Sequence, residues 1–169
     1  MALLTLDNTF GASVSGSATK MAELSTLTDI ISQTMNVTFS KGVEANQADG
    51  FFHDERTLAD GANETLDLTD SSLTDKLGEP INFSKLKALV IVNTSIDACL
   101  LIGGAVSAQM ALFNAVTEKL KLRPGGVFMF LCPDLAGVDI SVNAKLKLEH
   151  DGTGTSTLIY RIMALGVQG

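Results

Sequence analysis

Residues 86–105 read LKALVIVNTSIDACLLIGGA. Two apolar runs, 87–92 and 99–102, are each too short for a helix of ordinary length. Asn93-Thr94-Ser95 separates them with turn-forming residues, and Gly103-Gly104 ends the second. The pattern predicts two adjacent, buried strands of a β-hairpin. Neither run has a polar side. Any fold this chain adopts must therefore cover both faces of these strands.

The flanking sequence supplies more strands. Residues 35–40 (MNVTFS) alternate, with Met35, Val37 and Phe39 on one side and Asn36, Thr38 and Ser40 on the other. Residues 51–58, 65–68, 81–83, 118–122 and 145–149 also read as strands. Arg123-Pro124-Gly125-Gly126 predicts a turn, since Pro fixes one corner and Gly admits positive φ at the next. Residues 127–131 and 157–167 are apolar on both sides, Arg161 excepted. Asp151-Gly152-Thr153-Gly154 predicts a hairpin turn. Residues 106–116 fit a helical turn or an apolar-lined loop equally well.

The N-terminal part differs. Residues 1–20 are rich in Ser, Thr, Ala and Gly and read as an extended arm. Met21, Leu24, Leu27, Ile30 and Ile31 fall at spacings of three and four, which predicts one short amphipathic helix capped by Ser17 or Thr19. The organisation expected is an arm and short helix over residues 1–34, followed by a β-sandwich domain over 35–169. Eight or nine short strands without βαβ alternation give an all-β, jelly-roll-like sandwich.

Composition narrows the role. Hydrophobic residues make up 46% of the 169, charged residues 18%, and the mean hydropathy is +0.27. The longest apolar runs fall short of the ~20 residues that span a membrane. The apolar excess therefore predicts a subunit interface. The net charge is −7, and the few lysines alternate with leucines at 119–123 and 145–147. Such a chain is not expected to bind nucleic acid. MALLTLDNTF has no basic start and no long apolar core, so no secretory signal is expected. Cys99 and Cys132 sit in apolar strands and are expected to be free thiols.

No catalytic constellation appears. His53-Asp54-Glu55 and Glu149-His150-Asp151 would offer metal ligands only if the fold joined them. Asp67, Asp70, Asp75 and Glu79 lack the spacing of a calcium loop. There is no nucleophile elbow, P-loop or dinucleotide fingerprint. The expectation is a non-enzyme with no catalytic, cofactor or metal residues. A cupin-like metal enzyme built on His53 and His150 stands as a remote rival.

Several stretches carry a resemblance. They are NQADGFFHDERTLADGANETLDL at 46–68, then FSKLKALVIVNTS, LLIGGA, LRPGGVFMFLCPD and TSTLIYRIMALG. Over residues 46–169 the chain resembles small virion proteins of tailed bacteriophages, and among these the jelly-roll capsid cement or decoration proteins. The resemblance implies a homotrimer on the outer capsid surface. It implies the major capsid protein as partner, synthesis in the host cytoplasm, and no catalytic residue. A tail-associated or receptor-binding virion protein of the same fold is the alternative.

Overall fold

The computed structural model describes residues 5–23, 25–113, 115–152 and 156–169. Among them there are twelve strands and no helix: β1 (Asp7–Ala22), β2 (Ser25–Lys41), β3 (Gln47–Ala48), β4 (Gly50–Leu58), β5 (Asn63–Asp67), β6 (Phe83–Asn93), β7 (Leu100–Gly103), β8 (Lys119–Leu122), β9 (Val127–Leu131), β10 (Val138–Asp139), β11 (Lys145–His150) and β12 (Leu158–Gln168). The count exceeds the expected eight or nine through the paired N-terminal strands and the two-residue β3 and β10.

Two antiparallel sheets form the body. One runs β4-β12-β6, with β9 and β10 both on the far edge of β6; the other runs β5-β11-β7-β8. They share one core. Leu89 and Ile91 of β6, Tyr160 and Ile162 of β12, Leu100 and Ile102 of β7, and Leu146 and Leu148 of β11 are all buried in it. In β11 the inward leucines alternate with half-buried Lys145, Lys147 and Glu149, as the sequence pattern requires.

The strands of the 86–105 segment do not form a hairpin. β6 lies in one sheet and β7 in the other. The buried Asn93 makes the corner between them. Its Nδ2 donates to Ala98 O (2.9 Å) and Leu122 O (3.0 Å), and its Oδ1 accepts from Ser95 N (3.0 Å). With the side-chain amide satisfied by the 95–98 connection and by β8, the chain crosses to the other sheet instead of folding back on itself. The 151–154 turn is corrected in the same way. β11 and β12 belong to opposite sheets, and Thr153 and Gly154 lie outside the described residues.

Two register shifts on β6 shape its C-terminal partner. Leu165 pairs with Ala88 but Gly166 pairs with Leu86, so Lys87 is an extra residue on β6. This bulge removes the lysine from the inward row, which passes from Leu89 to Leu86. Lys87 is fully buried, and its Nζ instead donates to Asp134 O and, at 3.2 Å, to Leu135 O. Burial, and next the positive charge of Lys85, lower its pKa. At Gly166 a Cβ would lie 2.5 Å from Phe83 Cγ and 2.6 Å from Lys85 O, so only glycine fits.

The expected helix over 21–31 is absent. β1 and β2 pair along their whole length, from Asp7↔Ser40 to Ala22↔Ser25. The β-branched Thr26, Thr28, Ile30 and Ile31 favour a strand. The spacing of four between Leu27, Ile31 and Met35 is also an even number, so it puts all three on one side of a strand. Residues 106–116, left open above, are bends and turns where described, except around Gln109, which bridges Lys145.

Candidate functional site

The feature that singles this chain out is the β1–β2 ribbon. Its 16 paired residues per strand span about 54 Å at ~3.4 Å per residue. Cross-strand partners share a face, so the register sorts every side chain. One face carries Thr9/Thr38, Ser13/Thr34, Ser15/Ser32 and Thr19/Thr28, with Gly11/Asn36, Ser17/Ile30 and Met21/Thr26 among them, and is rich in hydroxyls. The Thr9 and Thr38 hydroxyls lie 3.3 Å apart. The opposite face carries Phe10/Val37, Ala12/Met35, Val14/Gln33, Gly16/Ile31, Ala18/Asp29 and Lys20/Leu27. It is predominantly apolar.

Only the root of that apolar face is covered. Leu6 and Phe39 are buried, with Phe10 and Val37 packed beside them, and Phe10 meets Phe39 edge-on at 5.9 Å. They sit on the outer face of the β4-β12-β6-β9 sheet, against Phe51, Leu165, Ala88 and Leu131. Those four residues are one register row across the sheet. Part of the second face that the sequence required to be covered is thus covered by the chain's own arm.

Beyond this root the ribbon is bare. Leu27 is 61%, Ile31 51% and Met35 56% exposed. The sheet face opens to solvent only at its third row. The second row is His53, Met163, Val90 and Met129, and the third is Glu55, Arg161, Val92 and Val127. Val127 is 55% exposed, Val92, Met129, Met163 and His53 are half-buried, and Val90 is buried. In the third row Arg161 Nε meets Glu55 Oε2 at 2.6 Å.

An alternation of hydroxyl residues, broken at Gly11, Ile30 and Asn36, was present in the sequence. Thr9, Ser13, Ser15, Ser17 and Thr19 alternate on one strand, and Thr26, Thr28, Ser32, Thr34, Thr38 and Ser40 on the other. That period of two is the signal that identifies a ribbon where a helix was expected.

The titratable candidates lie apart. His53 is on the outer face of β4, with its ring stacked on Phe51 at 5.0 Å. His150 is buried on β11, where Nε2 lies 3.1 Å from Ser156 O and Nδ1 accepts from Gly152 N at 3.0 Å. The fold does not join them. Asp67, Asp70 and Asp75 accept from the backbone N–H groups of Thr69, Ser72 and Leu77, so each closes its own turn. Among the described residues no three of His, Cys, Asp and Glu converge where a metal ion would sit. Cys99 and Cys132 are free thiols, and burial, followed by Asp134, raises the Cys132 pKa.

One polar network ties the two sheets together. The Tyr160 hydroxyl on β12 donates to Glu64 Oε1 on β5 at 2.7 Å, and Arg56 Nη1 on β4 donates to Glu64 Oε2 at 2.7 Å. Arg56 Nε also faces Asp54 Oδ2 at 3.2 Å, and Lys76 Nζ donates to Asp54 Oδ1 at 2.8 Å. Burial alone would raise the Asp54 pKa, but Lys76 and then Arg56 outweigh it and hold the carboxyl below its ordinary value. Burial, and then Glu64, push the Tyr160 phenol far above its ordinary pKa. The network is a clasp at the sandwich edge. An open groove of about 450 Å³ beside it is lined by His53, Asp54, Glu55, Lys76, Arg161, Ile162 and Met163.

Comparison with protein-family models, with curated proteins and with solved structures finds no match to this chain.

Proposed function

We propose that the protein is a structural virion component that decorates the outer surface of a bacteriophage capsid. As a homotrimer it would stabilise the shell by bridging neighbouring capsid subunits. The observation that carries this reading is the ribbon. It gives a small body a long reach, with a hydroxyl-lined face suited to hydrogen bonding along a protein surface.

The body is proposed to be a jelly roll. Two observations support this: the order β4-β12-β6-β9 lies opposite β5-β11-β7-β8, and the chain changes sheet at nearly every connection between these eight strands. The resemblance over residues 46–169 supports the same reading. Stabilisation would follow from mass action, since a protein that binds only the assembled shell shifts the equilibrium away from its disassembly. A net charge of −7 keeps such a protein soluble in the host cytoplasm before it adds to the shell.

The test is cosedimentation of purified protein with phage capsids that lack it, followed by heating of the shells. Saturable binding with a raised shell melting temperature is expected. Failure to bind shells, with recovery of the protein on tails, refutes decoration and favours the receptor-binding alternative.

A further inference from the structure

We infer that the bare apolar face of the ribbon docks on the outer face of the β4-β12-β6-β9 sheet of a second copy of this chain. The contact rests on the oligomeric part of the function proposed above, but it requires no shell.

Four observations select that occupant. First, the chain already makes this contact once within itself. The same ribbon face, at Phe10, Val37 and Phe39, packs on the first row of the same sheet face. The distal ribbon continues one of those surfaces outward, the sheet's third row continues the other, and both are left open.

Second, the charges match. The distal apolar face carries one acid, Asp29, and one base, Lys20, at neighbouring positions two residues apart along β1 and β2. The third row of the sheet carries one base, Arg161, beside one acid, Glu55. Laid antiparallel to that pair, Asp29 meets Arg161 and Lys20 meets Glu55.

Third, an unsupported two-stranded ribbon is marginal in water. On its apolar face this one has Leu27, Ile31 and Met35 at 61%, 51% and 56% exposure along a long unsupported length. It needs a surface to lie on, and each copy brings one.

Fourth, the area fits a closed ring better than a single contact. The eleven residues per strand beyond the root give ~37 Å of ribbon about 10 Å wide, a footprint of at most about 370 Å². That is roughly half the ~800 Å² per partner of a standard interface. In a closed ring each copy gives one ribbon and receives one, which doubles the area buried per copy. Such a head-to-tail contact closes when its rotation does, as in a trimer. The hydroxyl face of each ribbon then points away from the sister subunit and stays available to the shell.

The test uses the full chain in solution, without capsids, sized by light scattering. Three double variants are compared with the parent. Leu27→Asp with Ile31→Asp charges the ribbon's apolar face. Val127→Asp with Arg161→Asp charges the receiving sheet face. Ser15→Asp with Thr28→Asp charges the hydroxyl face and serves as control. All six positions are exposed, so thermal melts of the body should match the parent and exclude misfolding.

The parent and the hydroxyl-face control should be oligomers, and the other two variants monomers. Two results overturn the inference: a monomeric parent, or dissociation by the ribbon variant but not by the sheet variant. A parent oligomer that obeys these rules yet ignores capsids refutes decoration alone. A monomer that still binds shells refutes the ribbon contact alone.

Discussion

Tyr160 is the chain's single tyrosine, and there is no tryptophan. Its hydroxyl donates to a carboxylate that Arg56 also holds, and the ring is fully buried in the shared core. Tyr160→Phe keeps the ring and removes only the donor. A hydrogen bond to a charged acceptor is worth about 1.5–3 kcal/mol, and water reaches Glu64 at 22% exposure, so the lower part of that range applies. For a chain of this length each kcal/mol shifts the melting temperature by ~2–4 °C. The variant should therefore melt about 3–8 °C below the parent near neutral pH.

Alkaline pH gives the sharper measurement. The folded phenol titrates well above the ordinary value of 10.0, so above pH 10 the unfolded chain releases a proton that the folded chain keeps. Stability contributed by Tyr160 is complete below pH 10 and falls by about 1.4 kcal/mol per pH unit above it. Lys87 acts in the opposite sense. Its lowered pKa makes stability rise with pH between its folded value and the ordinary 10.5. Subtracting the Tyr160→Phe profile from the parent's cancels the Lys87 contribution and isolates the phenol. Phenolate absorbance in the near ultraviolet should appear only as the parent unfolds. A variant that melts within about 1 °C of the parent, or a folded parent whose tyrosine titrates near pH 10, refutes the clasp.

Other perturbations separate the ribbon from the body. Excising residues 11–36 and closing the gap with a two-residue turn keeps the buried root, so the body's melting temperature should stay within about 2 °C while the oligomer is lost. Deleting residues 1–20 instead removes Leu6 and Phe10 from the second core and should cost about 2–5 kcal/mol by urea titration. Gly166→Ala forces a Cβ into Phe83 and the Lys85 carbonyl, and should destabilise by at least about 2 kcal/mol with no change in the denaturant slope. Lys119 first, and then Lys147, hold the Glu149 carboxyl below its ordinary value. Its stabilisation is therefore present above the unfolded value of about 4.5 and lost as pH falls through the folded one. Glu149→Gln should flatten that acid limb in melts taken from pH 6 to pH 3.

The strands were legible wherever one face is wet. Residues 35–40 and 145–149 alternate in sequence, and 36–40 and 145–149 alternate in burial as well. Connections were not legible where a buried polar group decides them. Nothing local says that Asn93 will bridge Ala98 and Leu122, so two strands close in sequence were expected to pair, yet they lie in opposite sheets. The helix expected over 21–31 failed for a different reason. A spacing of four satisfies both helical and strand periods, and the alternating hydroxyls were the deciding evidence. The Tyr160–Glu64 contact joins residues 96 apart, a distance at which no periodicity operates. Lys87 reads as one more residue of an apolar run, yet it bulges out of the inward row and donates to the 134–135 carbonyls.

The in-register pairing of β1 with β2 also makes the ribbon a ruler with coarse graduations. Adding one residue to each strand turns every side chain beyond the insertion to the opposite side, so hydroxyls would land where leucine and isoleucine belong. Adding two to each restores the sides and lengthens the ribbon by about 6.8 Å. Viable length variants of this protein should therefore differ by multiples of four residues within 7–41, and the reach of the ribbon from the body should change in steps rather than continuously.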